Sequence, residues 1–396
     1  MLTAEHPRPS IRKDNIHSAS LEQERPTFST SVTLDTHALG LLDLAPADHA
    51  AKPHSIYALA RDRIVSHGIR LAESLDADQQ REAGDAGVFI FDVAVPEDGF
   101  EGVETDEDKR MATRAFVTEQ VIGAMGLEDK IVTMENWGGR KFFLPNEEVF
   151  PPSKLGQEFS TTVMDEYRAN IKGGHVLDVG TGSGILAVSA GLMGADRVTA
   201  TDPNPAALTA ARVSWALNGL DPDRLQTSDA DSLAKLGDQQ FDAIIANPPV
   251  QPFLETNDEG DRDNWVAWNE GGSQGNEVLL DVIREGAQRL HSEGIILTTT
   301  SSRHGHNQTR ELLAGLMDTG EISGWDTIAS QETRLNTEQY GNYFDFWRQA
   351  EEHDGDRRIW EHDGDHYHQF MVLRVDRGLQ RDRARQTVHP SMQAVI

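Results

Sequence analysis

Residues 175–190 read HVLDVGTGSGILAVSA. A short apolar run ending at Val179 enters three glycines at alternate positions, Gly180, Gly182 and Gly184, and a second apolar run starts at Ile185. A short β-branched run closed by glycine reads as a buried strand, and the run after the glycines reads as a helix. Glycine at such a junction lets the backbone approach a ligand closely, because no Cβ intervenes. By itself G-x-G-x-G is weak evidence, so the flanking residues must decide what the loop holds.

Working outward, strand and helix signals alternate from about residue 151 to 330. Strands are expected at 175–179, 197–201, 224–227, 241–246 and 294–300, and helices at 157–167, 185–192, 205–218, 232–236 and 276–290. Further strands are expected at 325–329 and 370–375. The alternation predicts an α/β protein: a Rossmann-like, doubly wound, mostly parallel seven-stranded sheet with an N-terminal α+β extension. Residues 1–30 read as a flexible arm. Residues 31–150 read as an accessory or substrate region, with a helical pattern at 55–74 and a strand at 87–95. They also carry a helix at 107–125, with Phe116, Val117, Gln120, Val121 and Met125 on one stripe. A hairpin of 130–133 and 141–144 should turn at Trp137-Gly138-Gly139. The ligand-binding domain should span 151–376. Within it, 331–367 is polar and aromatic-bearing and reads as a long loop, a candidate lid insertion. Residues 377–396 read as a tail. The repeat Glu352-His353-Asp354-Gly355-Asp356 and Glu361-His362-Asp363-Gly364-Asp365 reads as two Asp-Gly turns rather than a metal site, because it lacks metal-ligand spacing.

Totals narrow the function classes. The chain has 36 Lys and Arg against 65 Asp and Glu, a net charge of −29. That balance disfavours nucleic-acid partners, which are held through clustered cations, and anionic membranes. With no cysteine, disulfides, zinc thiolates and thiol nucleophiles are excluded. The polar segment Met1–Thr30 does not read as a signal peptide, and no run is long enough to span a membrane, so a cytoplasmic location is expected.

The glycine loop gains meaning from three acids. Asp178 lies two residues before the first glycine, where a dinucleotide fingerprint has an apolar residue. The second strand ends at Asp202, about twenty residues on, where a carboxylate can accept from both hydroxyls of a ribose. The third ends at Ser228-Asp229-Ala230-Asp231, where a carboxylate can take an exocyclic amine. Any one acid could be a helix cap or a solvated turn; three at strand ends on one sheet edge point to a nucleoside ligand. The fourth strand runs into Asn247-Pro248-Pro249-Val250. Two prolines make a rigid turn, and the Asn247 side chain with the Pro248 carbonyl would give two fixed acceptors for an NH2 group. That is catalysis by orientation.

These stretches resemble a known family. HVLDVGTGSGILAVSA resembles the first motif of class I S-adenosylmethionine-dependent methyltransferases, TATDPNPAALTAARVSWALNGL the second and FDAIIANPP the fourth. The NPP motif and Gly271-Gly272-Ser273-Gln274-Gly275 look like HemK/PrmC-type glutamine N-methyltransferases. The resemblance implies S-adenosyl-L-methionine as cofactor. Gly180, Thr181, Gly182 and Gly184 would line it, and Asp178 would sit beneath the loop near the methionyl amine. Asp202 would take the ribose, Asp229 the adenine, and Asn247 would border both cofactor and acceptor. Residues 151–156 would occupy the place of the segment that closes over the cofactor. Val250 replaces the family's aromatic residue; Trp265, Trp268, Tyr340, Tyr343, Phe344 and Trp347 are candidates for the missing face. The function expected is methyl transfer to an amide or amine nitrogen of a small molecule or protein side chain. Two alternatives stand beside it: cyclisation of the cofactor itself to azetidine-2-carboxylate and methylthioadenosine, and a non-catalytic binding module of the same fold.

Overall fold

The computed structural model of the 396-residue chain describes residues 27–35, 39, 69–71, 88–96, 105–230, 232–252, 271–335 and 337–377. Three strands, β1 (Thr27–Asp35), β2 (Ile69–Leu71) and β3 (Val88–Pro96), form an antiparallel sheet with β3 in the middle. Helix α1 (Asp106–Ala124) follows, its first turn closed by a capping box between Thr105 and Asp108. Val117, Val121 and Met125 are buried along one side of it, the i, i+4, i+8 stripe that a helix turns inward. The hairpin of β4 (Ile131–Met134) and β5 (Arg140–Phe143) turns through Gly138 and Gly139, both left-handed. The strand expected at 87–95, the helix at 107–125 and the hairpin are present. Ile69–Leu71 is a strand where the helical pattern of 55–74 was expected to end. The rest of that pattern lies outside the described residues, as do 1–26 of the arm and 378–396 of the tail. The last four residues of the expected arm, 27–30, instead pair with β3 as the start of β1, and Arg377 ends a strand that begins at Asp365.

The main sheet is built from β6 (His175–Val179), β7 (Arg197–Thr201), β8 (Leu225–Ser228), β9 (Phe241–Ala246), β10 (Leu290–Ser301), β11 (Ile322–Leu335) and β13 (Asp365–Arg377), with β12 (Trp360–His362) added to β13. The order is β11-β13-β10-β9-β6-β7-β8. Neighbours from β8 to β10 are parallel, whereas β13 runs antiparallel to both β10 and β11. This is the mostly parallel, doubly wound sheet that the alternation predicts. Strand order reverses beside β6, so the C-terminal ends of β6 and β9 face the crevice where open α/β sheets bind ligands.

Both faces of the sheet are covered. Val176, Ala243 and Ile245 join one core cluster, while Leu177, Ile244 and Ala246 join the other, the period-two alternation of a strand buried on both sides. Short helix α2 (Lys154–Glu158) precedes β6. Helix α3 (Ile185–Leu192) packs beneath the glycine loop, and α4 (Pro205–Leu217) crosses between β7 and β8. Helices α5 (Glu277–Ala287) and α6 (His306–Thr319) cover the far side with Leu279, Val282, Ile283, Leu313 and Leu316. The N-terminal elements dock on α4. The Phe143 N–H donates to Ser214 Oγ (2.9 Å), and Asn218 Nδ2 donates to the Lys141 carbonyl (2.7 Å). A Cβ on Gly219, which has φ +75°, would stand 2.1 Å from the Met111 carbonyl oxygen.

Residues 331–367 depart from the loop expected there. Strand β11 continues to Leu335, α7 (Thr337–Asp354) follows, and β12 leads into β13. A helix is thus inserted into a long β-hairpin. Tyr343, Phe344 and Trp347 pack with Leu335 and Ile359 in a small core of their own, with Tyr340 at its margin. The spacing 340, 343, 344, 347 is a helical stripe; a predominantly polar surround masked it. Gly355 (φ +72°) closes α7, and its N–H donates to Glu351. Asp363 and Gly364, both at positive φ, make the β12–β13 turn.

Candidate active site

The glycine loop is held by a buried acid. Asp178 is fully buried on β6; its Oδ2 accepts from Thr181 Oγ1 (2.7 Å) and from the Ala187 N–H in α3 (3.0 Å). It ties the loop to the helix that follows. Its Oδ1 is buried without a hydrogen-bond partner. Burial pushes the carboxyl pKa up to about 7; the bonds from Thr181 and Ala187 act against that rise, and nearby Asp202 adds to it.

Gly180, Gly182 and Gly184 all have positive φ. The space beyond a Cβ at Gly180 is open, and at Gly182 the nearest atom would be the Phe150 carbonyl oxygen at 3.9 Å. At Gly184 a Cβ would stand 2.8 Å from the Ala211 Cα. Two glycines therefore leave room in front of the loop, and the third lets α4 come close behind it. Asp202 faces the same space from β7. Its Oδ2 accepts from the Gly182 N–H (3.0 Å) and its Oδ1 from the Asn204 N–H (2.9 Å), and burial raises its pKa. Each oxygen keeps lone-pair capacity for a further donor. Asp229 is exposed at the end of β8, and Asp231 lies outside the described residues. Ser153 caps α2 through the Gly156 N–H, and Gly156 lies against Ile185 at the start of α3. Segment 150–156 therefore runs beside the loop.

Asn247 ends β9 on the same edge. Its Oδ1 accepts from Thr299 Oγ1 at 2.6 Å, which fixes the amide and leaves Oδ1 a second lone pair. The Gly271–Gly275 stretch clasps the proline turn from behind. The Gly271 N–H donates to the Gln251 carbonyl (2.7 Å). A Cβ on Gly271 would meet the Pro249 carbonyl oxygen at 2.6 Å, and one on Gly275 the Val250 carbonyl oxygen at 2.9 Å. Pro248 and Val250 are buried, so Val250 presents no open face. The carboxamide of Gln251 and Nδ2 of Asn276 are buried without partners among the described residues.

Beyond Asn247, the end of β10 supplies residues that the sequence reading missed. His304 Nε2 bonds to the Val250 carbonyl (3.1 Å) and its Nδ1 meets Thr300 Oγ1 (3.1 Å). Ser301 Oγ meets His368 Nδ1 (2.9 Å) and accepts from Arg303 Nε (3.0 Å). Burial drives the imidazoles of His304 and His368 down to about 3 and about 2, with the Arg303 charge adding to both shifts, so both are neutral at pH 7. The signal for these residues was the polar run Thr298–His304 closing an apolar strand at the ligand edge. Of the aromatic candidates, Tyr343, Phe344 and Trp347 pack on one another beside this cluster, and Trp265 and Trp268 lie outside the described residues.

The residues fit a bound S-adenosylmethionine. Open space lies before Gly180 and Gly182, a carboxylate faces it, and a buried oxygen beneath the loop lacks a donor. A family model described as ribosomal protein L11 methyltransferase (PrmA) matches residues 158–258, the segment that contains every one of these groups. The ribosomal protein L11 methyltransferase of Lactobacillus johnsonii is 43% identical over 88 residues, 22% of this chain and 27% of that protein. A putative protein N5-glutamine methyltransferase of Methanocaldococcus jannaschii is 27% identical over 155 residues, 39% of this chain and 75% of that protein. The chain spans about a quarter of the length of the L11 methyltransferases it matches. A crystal structure of a ribosomal protein L11 methylase from Lactobacillus delbrueckii subsp. bulgaricus aligns with 58% of this chain and 81% of its own, at 21% identity and a TM-score of 0.33. The L11 family supplies the matching model, whereas the glutamine-type relative, the resemblance read from the NPP motif, matches a longer stretch at lower identity.

Proposed function

We propose that the chain is an S-adenosylmethionine-dependent methyltransferase acting on an amide or amine nitrogen. The observation that carries this reading is Asn247: a carboxamide fixed by Thr299, at the end of the strand beside the glycine loop, on a turn clasped by Gly271–Gly275. The match of residues 158–258 to a methyltransferase family supports it. In this reading Gly180, Thr181, Gly182 and Gly184 shape the cofactor cradle, Asp202 holds the ribose and Asp229 the adenine. Asp178 braces the loop from below through Oδ2 and keeps Oδ1 for the methionyl amine. S-adenosylmethionine supplies an electrophilic methyl group on a sulfonium. Asn247 Oδ1 and the Pro248 carbonyl accept the two hydrogens of the acceptor's NH2, so the nitrogen lone pair is turned toward the methyl, and the gain comes from orientation. His304 is neutral and both its nitrogens are engaged, so it holds the turn and moves no proton. The names of the relatives make a protein amine or amide one acceptor class; a small molecule is the other. Among the described residues no helix is long and apolar enough to cross a membrane.

Calorimetry with S-adenosylhomocysteine is the first test. Binding in the micromolar range, lost in Asp202→Ala, is expected. Methyl transfer from labelled S-adenosylmethionine to peptide and small-amine pools should then require both Asn247 and an acceptor. Methylthioadenosine released without any acceptor would overturn the transfer reading in favour of cyclisation. Absence of cofactor binding would overturn it in favour of a binding module.

A further inference from the structure

Two arginines are buried near the C-terminal end of β10, and they are treated differently. Arg358, 3% exposed, has its carboxylate: Asp354 takes Nη1 at 2.9 Å and Nη2 at 2.6 Å. Arg303, 5% exposed, has no carboxylate among the described residues. Its Nε donates to the Ser301 hydroxyl, its guanidinium lies 5.4 Å from the Tyr340 ring and 5.8 Å from the Trp347 ring, and its Nη1 is buried without a partner. Tyr340 also hydrogen-bonds the guanidinium, and Tyr343 and the neutral imidazoles of His304 and His368 are its other titratable neighbours among the described residues. A guanidinium stays protonated even when burial lowers its pKa, so this is a charge held inside the protein, between aromatic faces, with an unused donor. Buried charges are ordinarily paired, because leaving one without a counter-ion is costly.

The position of Arg303 suggests its partner. Its backbone N–H is bonded to Ser301, two residues beyond the threonine that fixes Asn247, and the next residue, His304, holds the Val250 carbonyl of the proline turn. This cation, which has no carboxylate among the described residues, and the nitrogen-orienting amide therefore share one end of the sheet. We propose that Arg303 binds a carboxylate of the methyl acceptor, which makes that acceptor an amine or amide bearing a carboxylate, of the amino-acid kind, with Tyr340 and Trp347 flanking the ion pair. A planar guanidinium matches a carboxylate in a bidentate way that an ammonium cannot. Because Arg303 is buried, helix α7, which carries both rings, must shift to admit the anion. This inference rests on the methyltransferase reading for what the carboxylate is attached to, but its binding step can be tested apart from it.

Benzoate and its neutral isostere benzamide are suitable probes, titrated by calorimetry into the full chain with and without S-adenosylhomocysteine. Benzoate should bind at least tenfold more tightly than benzamide. That preference should fall in Arg303→Lys and vanish in Arg303→Met, with binding of S-adenosylhomocysteine unchanged in both variants. Equal binding of the two probes to the wild-type protein, or binding of neither, would overturn the proposal without any variant having to fold. Failure of S-adenosylhomocysteine to bind while the benzoate preference persists would sink the methyltransferase reading and leave the carboxylate site standing. In a transfer assay, an acceptor acid should lose at least tenfold in kcat/KM when its carboxylate is converted to the methyl amide. Equal use of both forms would count against Arg303.

Discussion

The two halves of the sheet edge are built on opposite plans. At β6, β7 and β8 the groups are acidic, and most come from one stretch: Asp178, the three glycines and Asp202 lie within 25 residues. At β9, β10 and β13 they are amides, hydroxyls, imidazoles and a guanidinium, drawn from Asn247, Thr299, Ser301, Arg303, His304 and His368. The acidic half suits a cofactor that carries a positive sulfonium and two ribose hydroxyls; the half with Arg303 suits something negative. A half assembled from one supersecondary unit can recur in many proteins unchanged. One assembled from distant strands can vary by single residues, so it is the place to look for what distinguishes this chain.

The largest effect should come from breaking the acidic half at its tightest contact. Gly184 has φ +83°, and a Cβ there would sit 2.8 Å from the Ala211 Cα. Gly184→Val combines a left-handed backbone with overpacking, so a stability loss of about 3 kcal/mol is expected, together with loss of S-adenosylhomocysteine binding. Urea unfolding and calorimetry measure the two. An unchanged unfolding midpoint would mean that the loop does not need α4 at this distance.

Substitutions in the other half should spare the cofactor and hit the turnover. Asn247→Ala is expected to lower kcat by about 100-fold with binding of S-adenosylhomocysteine intact, the scale seen when one oriented polar group is removed. Thr299→Val keeps the shape but frees the Asn247 amide, and a loss of about tenfold is expected, since misorientation costs less than removal. If Thr299→Val weakens cofactor binding as much as turnover, the two halves are not separable in the way their construction suggests.

The same contrast explains what could be read from the sequence. The glycine loop, the acid after the second strand and the alternation of strands and helices were legible because each is local: a short apolar run, a glycine cluster, an acid at a strand end. The helical stripe of Tyr340, Tyr343, Phe344 and Trp347 is also present but is weak as a signal, because α7 faces a small separate core and its surroundings are polar. Arg303 could not be singled out. One arginine in a polar run acquires its meaning only when β13 and α7 bring His368, Tyr340 and Trp347 around it and, among the described residues, no carboxylate follows.

The smallest expected effect is a slope, and it sets the two halves against each other. His304 and His368 stay neutral in the folded protein down to about 3 and about 2, against an ordinary 6.5. Below pH 6.5 the unfolded chain therefore binds two more protons than the folded one at these sites, and they make stability rise with pH. Asp178 does the reverse. Its folded pKa is about 7 against 3.8, so between those values the folded protein holds the extra proton and stability falls as pH rises. Each group is worth at most about 1.4 kcal/mol per pH unit. Between pH 4.5 and 6 the three together leave a net rise of about one such increment per pH unit. Asp178→Asn removes the opposing group and should steepen the rise relative to wild type; His304→Asn combined with His368→Asn should turn it into a fall. Urea midpoints measured at half-unit pH steps resolve both changes. An unaltered slope in Asp178→Asn would mean that the acid under the glycine loop is already ionised in this range, as it would be if a cation above the loop reached its unpartnered oxygen, so the series should be run with and without S-adenosylmethionine.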